Sequence, residues 1–157
     1  MYAEPLGLYV VADVEGDVVR SLEMTRDRPG SRPRNTPFID ALKRYFETGR
    51  GDFSGFRPDL SGVPPFQKKA LQALCEVPAG KTVTYGELAA IAGSPGAARA
   101  VGNAMAHNPV PLLVPCHRVV AANGLGGFTG GLWVKRALLE LESTEGTKGT
   151  KGTKDVY

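Results

Sequence analysis

The run Pro115-Cys116-His117-Arg118 puts a thiol, an imidazole and a guanidinium in consecutive positions behind a proline. A free thiol with a pKa near ~8.5 is only a few per cent thiolate at neutral pH, so a nucleophilic cysteine needs a base, a cation or a helix N-terminus beside it. His117 is a candidate base and Arg118 a candidate cation. Neighbouring residues do not face each other on a regular helix or strand. The pair therefore works only in a turn or through a bridging water, and Pro115 favours a turn. On the residues alone, a reactive Cys116 stands level with a buried structural cysteine beside a histidine that caps backbone groups.

A third group comes from the last helical stretch, Leu132 to Glu142. With Val134 as reference and about 100° per residue, Leu138 lies about 40° away and Glu142 about 80°, at the edge of the apolar stripe. A carboxylate so placed needs a partner, and a histidine N–H is a natural one, because the bond fixes the imidazole tautomer and favours proton acceptance. A Cys116-His117-Glu142 relay follows. The alternative is a Glu142 that frays at the helix end or pairs with Lys135. Between the Cys-His pair and this helix runs Asn123 to Gly131, a glycine-rich loop that matches neither phosphate-binding glycine pattern. Its glycines are better suited to bringing backbone close to a ligand or a neighbouring segment.

The elements that must position these groups fall into two parts. Leu8 to Ala12 and Val18 to Met24, joined at Glu15-Gly16-Asp17, read as a β-hairpin. Arg26 to Asn35 is a loop rich in Arg, Pro and Gly. Thr36-Pro37 then caps a helix carrying Phe38, Leu42, Tyr45 and Phe46. A boundary falls near residue 58, giving a sheet-plus-helix domain over 1–58 and a mostly helical domain over 59–142. In the second, Phe66, Ala70, Leu71, Leu74 and Val77 form one helical face, and Cys75 is expected to be buried on or beside it. Thr84 and Glu87 form a capping box. Ser94-Pro95 reads as the cap of a further helix to His107, so the two short helices have helix-turn-helix proportions. That second helix is nearly all Ala and Gly, and Arg99 stands out on it. Residues 143–157, with repeated Gly-Thr-Lys, read as a mobile solvated tail.

Composition narrows the class. The chain has 157 residues, 42% hydrophobic and 22% charged, with a net charge of +3. This is an ordinary globular mix, too weakly basic to announce nucleic-acid binding by charge alone. Two cysteines without a C-x-x-C pair argue against a disulfide framework or a zinc finger. No apolar run is long enough for a membrane span, and the N-terminus lacks the basic region of a signal peptide. The expectation is an α+β protein of the cytoplasm, or of the nucleus in a eukaryote.

Pro115-Cys116-His117-Arg118-Val119 with Asn108 seven residues before Pro115, the Arg99-Ala100-Val101-Gly102 helix, Val83-Thr84-Tyr85-Gly86, and Gly130-Gly131 ahead of a Lys and Leu-Leu helix together resemble one family. It is that of the methylated-DNA–protein-cysteine methyltransferases, the O6-alkylguanine-DNA alkyltransferases. The likeness is dense from Pro64 to Glu142 and looser over 1–58, where the zinc ligands of some members have no counterpart.

The resemblance implies a single-turnover repair enzyme without metal or cofactor, acting as a monomer on duplex DNA. It would move an alkyl group from O6 of guanine, or from O4 of thymine, to Cys116. His117 would take the thiol proton through a water, Glu142 would orient His117, Tyr85 would donate toward the base, and Asn108 would brace the active-site turn. The target base must leave the stack. Arg99 would fill the gap, while Ala97, Ala98, Ala100 and Gly102 let the helix approach the groove closely. Met105, Pro111, Val119, Phe128 and Thr129 would line the base pocket. Phe128 stands where many members have Tyr, which keeps apolar packing and removes a hydroxyl. Two other readings compete. A lesion-binding relative without transfer replaces the nucleophile, which is present here, and a cysteine hydrolase leaves the small-residue helix unexplained.

Overall fold

The computed structural model describes residues 1–143. Its first layer is a four-stranded sheet in the order β1-β2-β3-β4. β2 (Leu8–Glu15) and β3 (Val18–Thr25) form the hairpin, turning on Gly16 at φ +63°. β1 (Tyr2–Ala3) is antiparallel to β2, and β4 (Arg57–Pro58) is parallel to β3. These two short strands show no sequence signal, since two residues cannot display a period-two pattern. α1 (Pro37–Thr48) starts as its Thr36-Pro37 pair dictates, with the Thr36 hydroxyl accepting from Ile39 N–H at 3.2 Å. Phe38, Leu42, Tyr45 and Phe46, spaced at helical intervals, are all buried. They share one core with the hairpin and with Val110, Leu112, Val134 and Leu138 from much later in the chain.

Gly49 ends α1 at φ +75°, where a Cβ would lie 2.3 Å from the Leu141 carbonyl oxygen. That close approach draws the end of α1 onto α5 (Leu132–Ser143), so the two parts of the chain meet at the residues proposed for chemistry. α5 takes in Ser143. The rest of the expected tail, 144–157, lies outside the described residues.

The remaining elements build a second core around Leu71, Leu74, Leu88, Val101 and Val119. α2 spans Pro65–Leu74, and α3 (Tyr85–Ile91) carries the complete Thr84/Glu87 capping box. α4 spans Ala98–Ala106. Two sequence expectations fail here. Ser94 caps no helix: Gly96 at φ +87° makes a separate turn, closed by Ala97 N–H to Ser94 C=O, so α4 begins later with no side-chain cap. Cys75 is exposed rather than buried, because α2 stops at Leu74 and the thiol-bearing residue lies just beyond the packed face. Finally, β5 (Val83–Thr84) pairs in parallel with β6 (Val119–Val120). This small ladder sets Tyr85, which follows β5, beside the Cys-His-Arg turn, which precedes β6.

Candidate active site

Cys116, His117 and Arg118 form one turn of 3-10 helix after Pro115. The turn rests on Asn108, whose amide donates to Val114 C=O at 2.9 Å while its carbonyl accepts from Val110 N–H at 3.0 Å. Leu112, at φ +76°, is the one non-glycine residue with positive φ among the described residues. It marks a loop held in an uncommon conformation by its surroundings. Cys116 is 7% exposed. Burial pushes its thiol pKa up, and the Asn108 side chain and Lys135 pull it back.

Behind the thiol, His117 Nε2–H donates to Glu142 Oε2 at 2.6 Å, with both side chains 1% exposed. The same oxygen accepts Tyr45 O–H at 2.6 Å, and Arg118 grips the carboxylate through Nε at 2.9 Å and Nη2 at 3.0 Å. Burial alone would raise the Glu142 pKa; His117 and Arg118 outweigh it and hold the carboxyl well below its usual range. Burial keeps His117 below its ordinary value despite Glu142, so the imidazole is neutral at pH 7. With its proton on Nε2, the lone pair lies on Nδ1, a buried atom without a hydrogen-bond partner among the described residues. That is the protonation state a base requires.

Lys135 is fully buried and does not pair with Glu142. Its ammonium donates to Val119 C=O at 2.6 Å and Gly127 C=O at 2.9 Å, 5.8 Å from the Tyr85 ring centroid. It ties the turn that carries the thiol to the glycine-rich loop. Burial pushes its pKa down to about 8, with Cys116 acting the other way. On the far side of that loop, Gly126 has φ +77°, and a Cβ there would meet the Tyr85 ring and hydroxyl at 2.9 Å. The glycine lets Tyr85 lie flush, its O–H directed at Gly127 C=O across 3.4 Å.

These parts surround a cavity of about 500 Å³. Of the residues expected from sequence, Cys116, Tyr85, Gly102, Asn108, Met105, Pro111, Phe128 and Thr129 line it. Val119 does not: its side chain belongs to the second core and its carbonyl holds Lys135.

A family model described as "6-O-methylguanine DNA methyltransferase, DNA binding domain" matches residues 65–144. A methylated-DNA–protein-cysteine methyltransferase of Mycobacterium leprae is 42% identical over 146 residues, covering 88% of this chain and 87% of its own. One from Methanosarcina acetivorans is 52% identical over 121 residues, covering 74% and 76%. Among solved structures, a variant of the M. tuberculosis O6-methylguanine methyltransferase superposes with a TM-score of 0.73 at 41% identity, covering 87% of each chain. An M. tuberculosis relative in complex with DNA gives 0.70 at 39%, covering 85% of each. The chain belongs to the methylated-DNA–protein-cysteine methyltransferase family.

Within this family member, α4 turns Val101 and Ala104 into the protein and leaves Arg99 and Ala100 exposed, with Ala97, Ala98 and Gly102 half-buried. Gly102 faces Tyr85 across van der Waals contact. Arg99 lies outside the cavity lining, as do Ala97, Ala98 and Ala100. Sequence reasoning passed over three participants: Tyr45, the double grip of Arg118, and Lys135. For Lys135 a signal existed. On the helical wheel it falls at about 100°, between Leu138 at about 40° and Leu139 at about 140°, on a face that is buried throughout.

Proposed function

We propose that this chain repairs alkylated DNA by moving an alkyl group from O6 of guanine in a duplex to Cys116 Sγ, once per molecule. The S–C bond forms as the C–O6 bond breaks. The thiol proton passes to His117 Nδ1 through a water, the departing guanine takes a proton from the Tyr85 hydroxyl, and the tyrosinate regains one from His117 through solvent. The observation that carries this reading is the buried His117–Glu142 pair on the residue next to a cavity-lining thiol, with the free lone pair on Nδ1. A neutral histidine backed by a carboxylate is a proton acceptor, and Lys135 and Asn108 favour the thiolate that results.

Family membership and the relative in complex with DNA support a nucleic-acid substrate. The exposed Arg99 on a helix of small residues supports entry of α4 into a groove, with the arginine replacing the extruded base. Phe128, Thr129, Met105 and Pro111 then pack on the base. The thioether is stable and the nearest alternative thiol, Cys75, lies outside the cavity, so the protein is consumed by its reaction. One thiol on one chain suffices, and the protein acts as a monomer in the compartment that holds the DNA, the cytoplasm. Titration with an O6-methylguanine duplex tests the proposal: repair stops at one equivalent, and Cys116→Ser binds the duplex without repairing it. Repair beyond one equivalent, or by Cys116→Ser, overturns it.

A further inference from the structure

The cavity has a wall that methyl transfer does not need. Leu22, Glu23 and Met24 line it, although they belong to β3 of the N-terminal sheet. β3 pairs with β4 only at Val18 and Val19, so beyond Val19 one of its edges is open. Leu22 N–H on that edge donates to Pro109 C=O at 3.1 Å. This bond docks the strand against the loop that carries Asn108. Antiparallel alternation turns the N–H and C=O of Met24 to the same edge, beside the cavity, where neither bonds to another segment among the described residues. A volume of about 500 Å³ is in the range of pockets that take drug-sized ligands, more than a base with one added carbon fills.

We infer that this edge of β3 is the outer compartment of the alkyl pocket, receiving the distal part of adducts larger than methyl, and that Glu23 selects among them by charge. The inference rests on the alkyl-transfer reading above and adds its substrate range. Glu23 is exposed, makes no ion pair among the described residues, and is the one acidic side chain in the lining. Neither Lys135 nor Arg26 pairs with it. The Lys135 ammonium is held by two carbonyls, and Arg26 lies over the Trp133 ring at 5.9 Å. The compartment therefore presents apolar side chains, open strand-edge backbone and one carboxylate that no described residue pairs with, while the Lys135 ammonium acts at the thiol. Neutral and cationic adducts suit it; anionic ones are opposed. For two charges roughly 7 Å apart in a water-filled mouth, the discrimination is about three- to tenfold in rate and weakens with salt.

The test uses the purified protein and free O6-benzylguanines whose ring carries a para aminomethyl, methyl or carboxylate group, with labelling of Cys116 followed by intact mass. Comparing probes within each protein cancels differences in folding or general activity. In the wild type the aminomethyl probe outruns the carboxylate by about three- to tenfold. Glu23→Gln brings the ratio close to that of the probes' intrinsic reactivity with a small thiolate, and Glu23→Lys moves it past that value in the opposite sense. A ratio that is the same in all three proteins overturns the inference. So does failure of every benzyl probe with a protein that takes methyl from duplex DNA, since the outer compartment then admits nothing. Failure of the wild type on the methylated duplex would instead strike the alkyl-transfer reading itself.

Discussion

Glu142→Gln separates what the buried carboxylate does for chemistry from what it does for the fold. In the native protein it accepts from His117, Tyr45 and two nitrogens of Arg118 while 1% exposed. Glutamine keeps the shape but offers one acceptor oxygen, and its NH2 must face a donor. Arg118 then loses its counter-charge in a nearly buried position, which costs about 3 kcal/mol of stability. For the reaction, His117 loses a charged hydrogen-bond partner that supports it as it becomes imidazolium. A charge-assisted bond contributes about 1.5–3 kcal/mol, so transfer slows about ten- to a hundredfold. Single-turnover labelling with a methylated duplex, well below the unfolding temperature, reads the second effect. Urea denaturation reads the first. Because the native Glu142 pKa is depressed, its contribution is complete above the unfolded carboxylate value near ~4.3 and is lost as pH falls through the native one. The stability gap between wild type and variant therefore narrows below about pH 4. A variant that transfers at the wild-type rate at neutral pH would refute the relay; one equally stable at pH 7 would refute the account of its burial.

Three further outcomes follow. Lys135→Met removes the cation that ties Val119 to Gly127 and offsets the burial of the thiol; the apparent Cys116 pKa, read from the pH dependence of iodoacetamide alkylation, rises, and an unchanged value contradicts this role. Gly49→Ala forces a Cβ onto the Leu141 carbonyl at a positive φ, and denaturant unfolding should show a loss of about 2–3 kcal/mol. Arg99→Ala slows reaction with an alkylated duplex but labels Cys116 with free O6-benzylguanine at nearly the wild-type rate, because the free base needs no extrusion; equal losses on both substrates would withdraw Arg99 from that role.

The fold was legible where local chemistry is strong. Thr36-Pro37, the Thr84/Glu87 box and the Gly16 turn each fix an element through contacts within a few residues. Helical periodicity also put Glu142 on the edge of the buried face of α5, which is enough to raise a Cys-His-Glu relay. What stayed hidden depends on long-range approach. Tyr45 reads as an ordinary core aromatic on α1; only the Gly49 contact with α5 reveals that its hydroxyl reaches Glu142. Arg118 reads as a cation for the thiol, yet it turns away to Glu142 and the Val77 carbonyl. The same limit misplaced Cys75, since wheel position does not say where the neighbouring layer ends.

The central claim is tested most directly by peptide mapping after reaction with a duplex containing O6-methylguanine labelled in the methyl group. The expected result is one methyl per protein, carried entirely by the peptide containing Cys116, with the exposed Cys75 unmodified and guanine restored in the DNA. Label on Cys75, or restored guanine with no methyl on the protein, would contradict it.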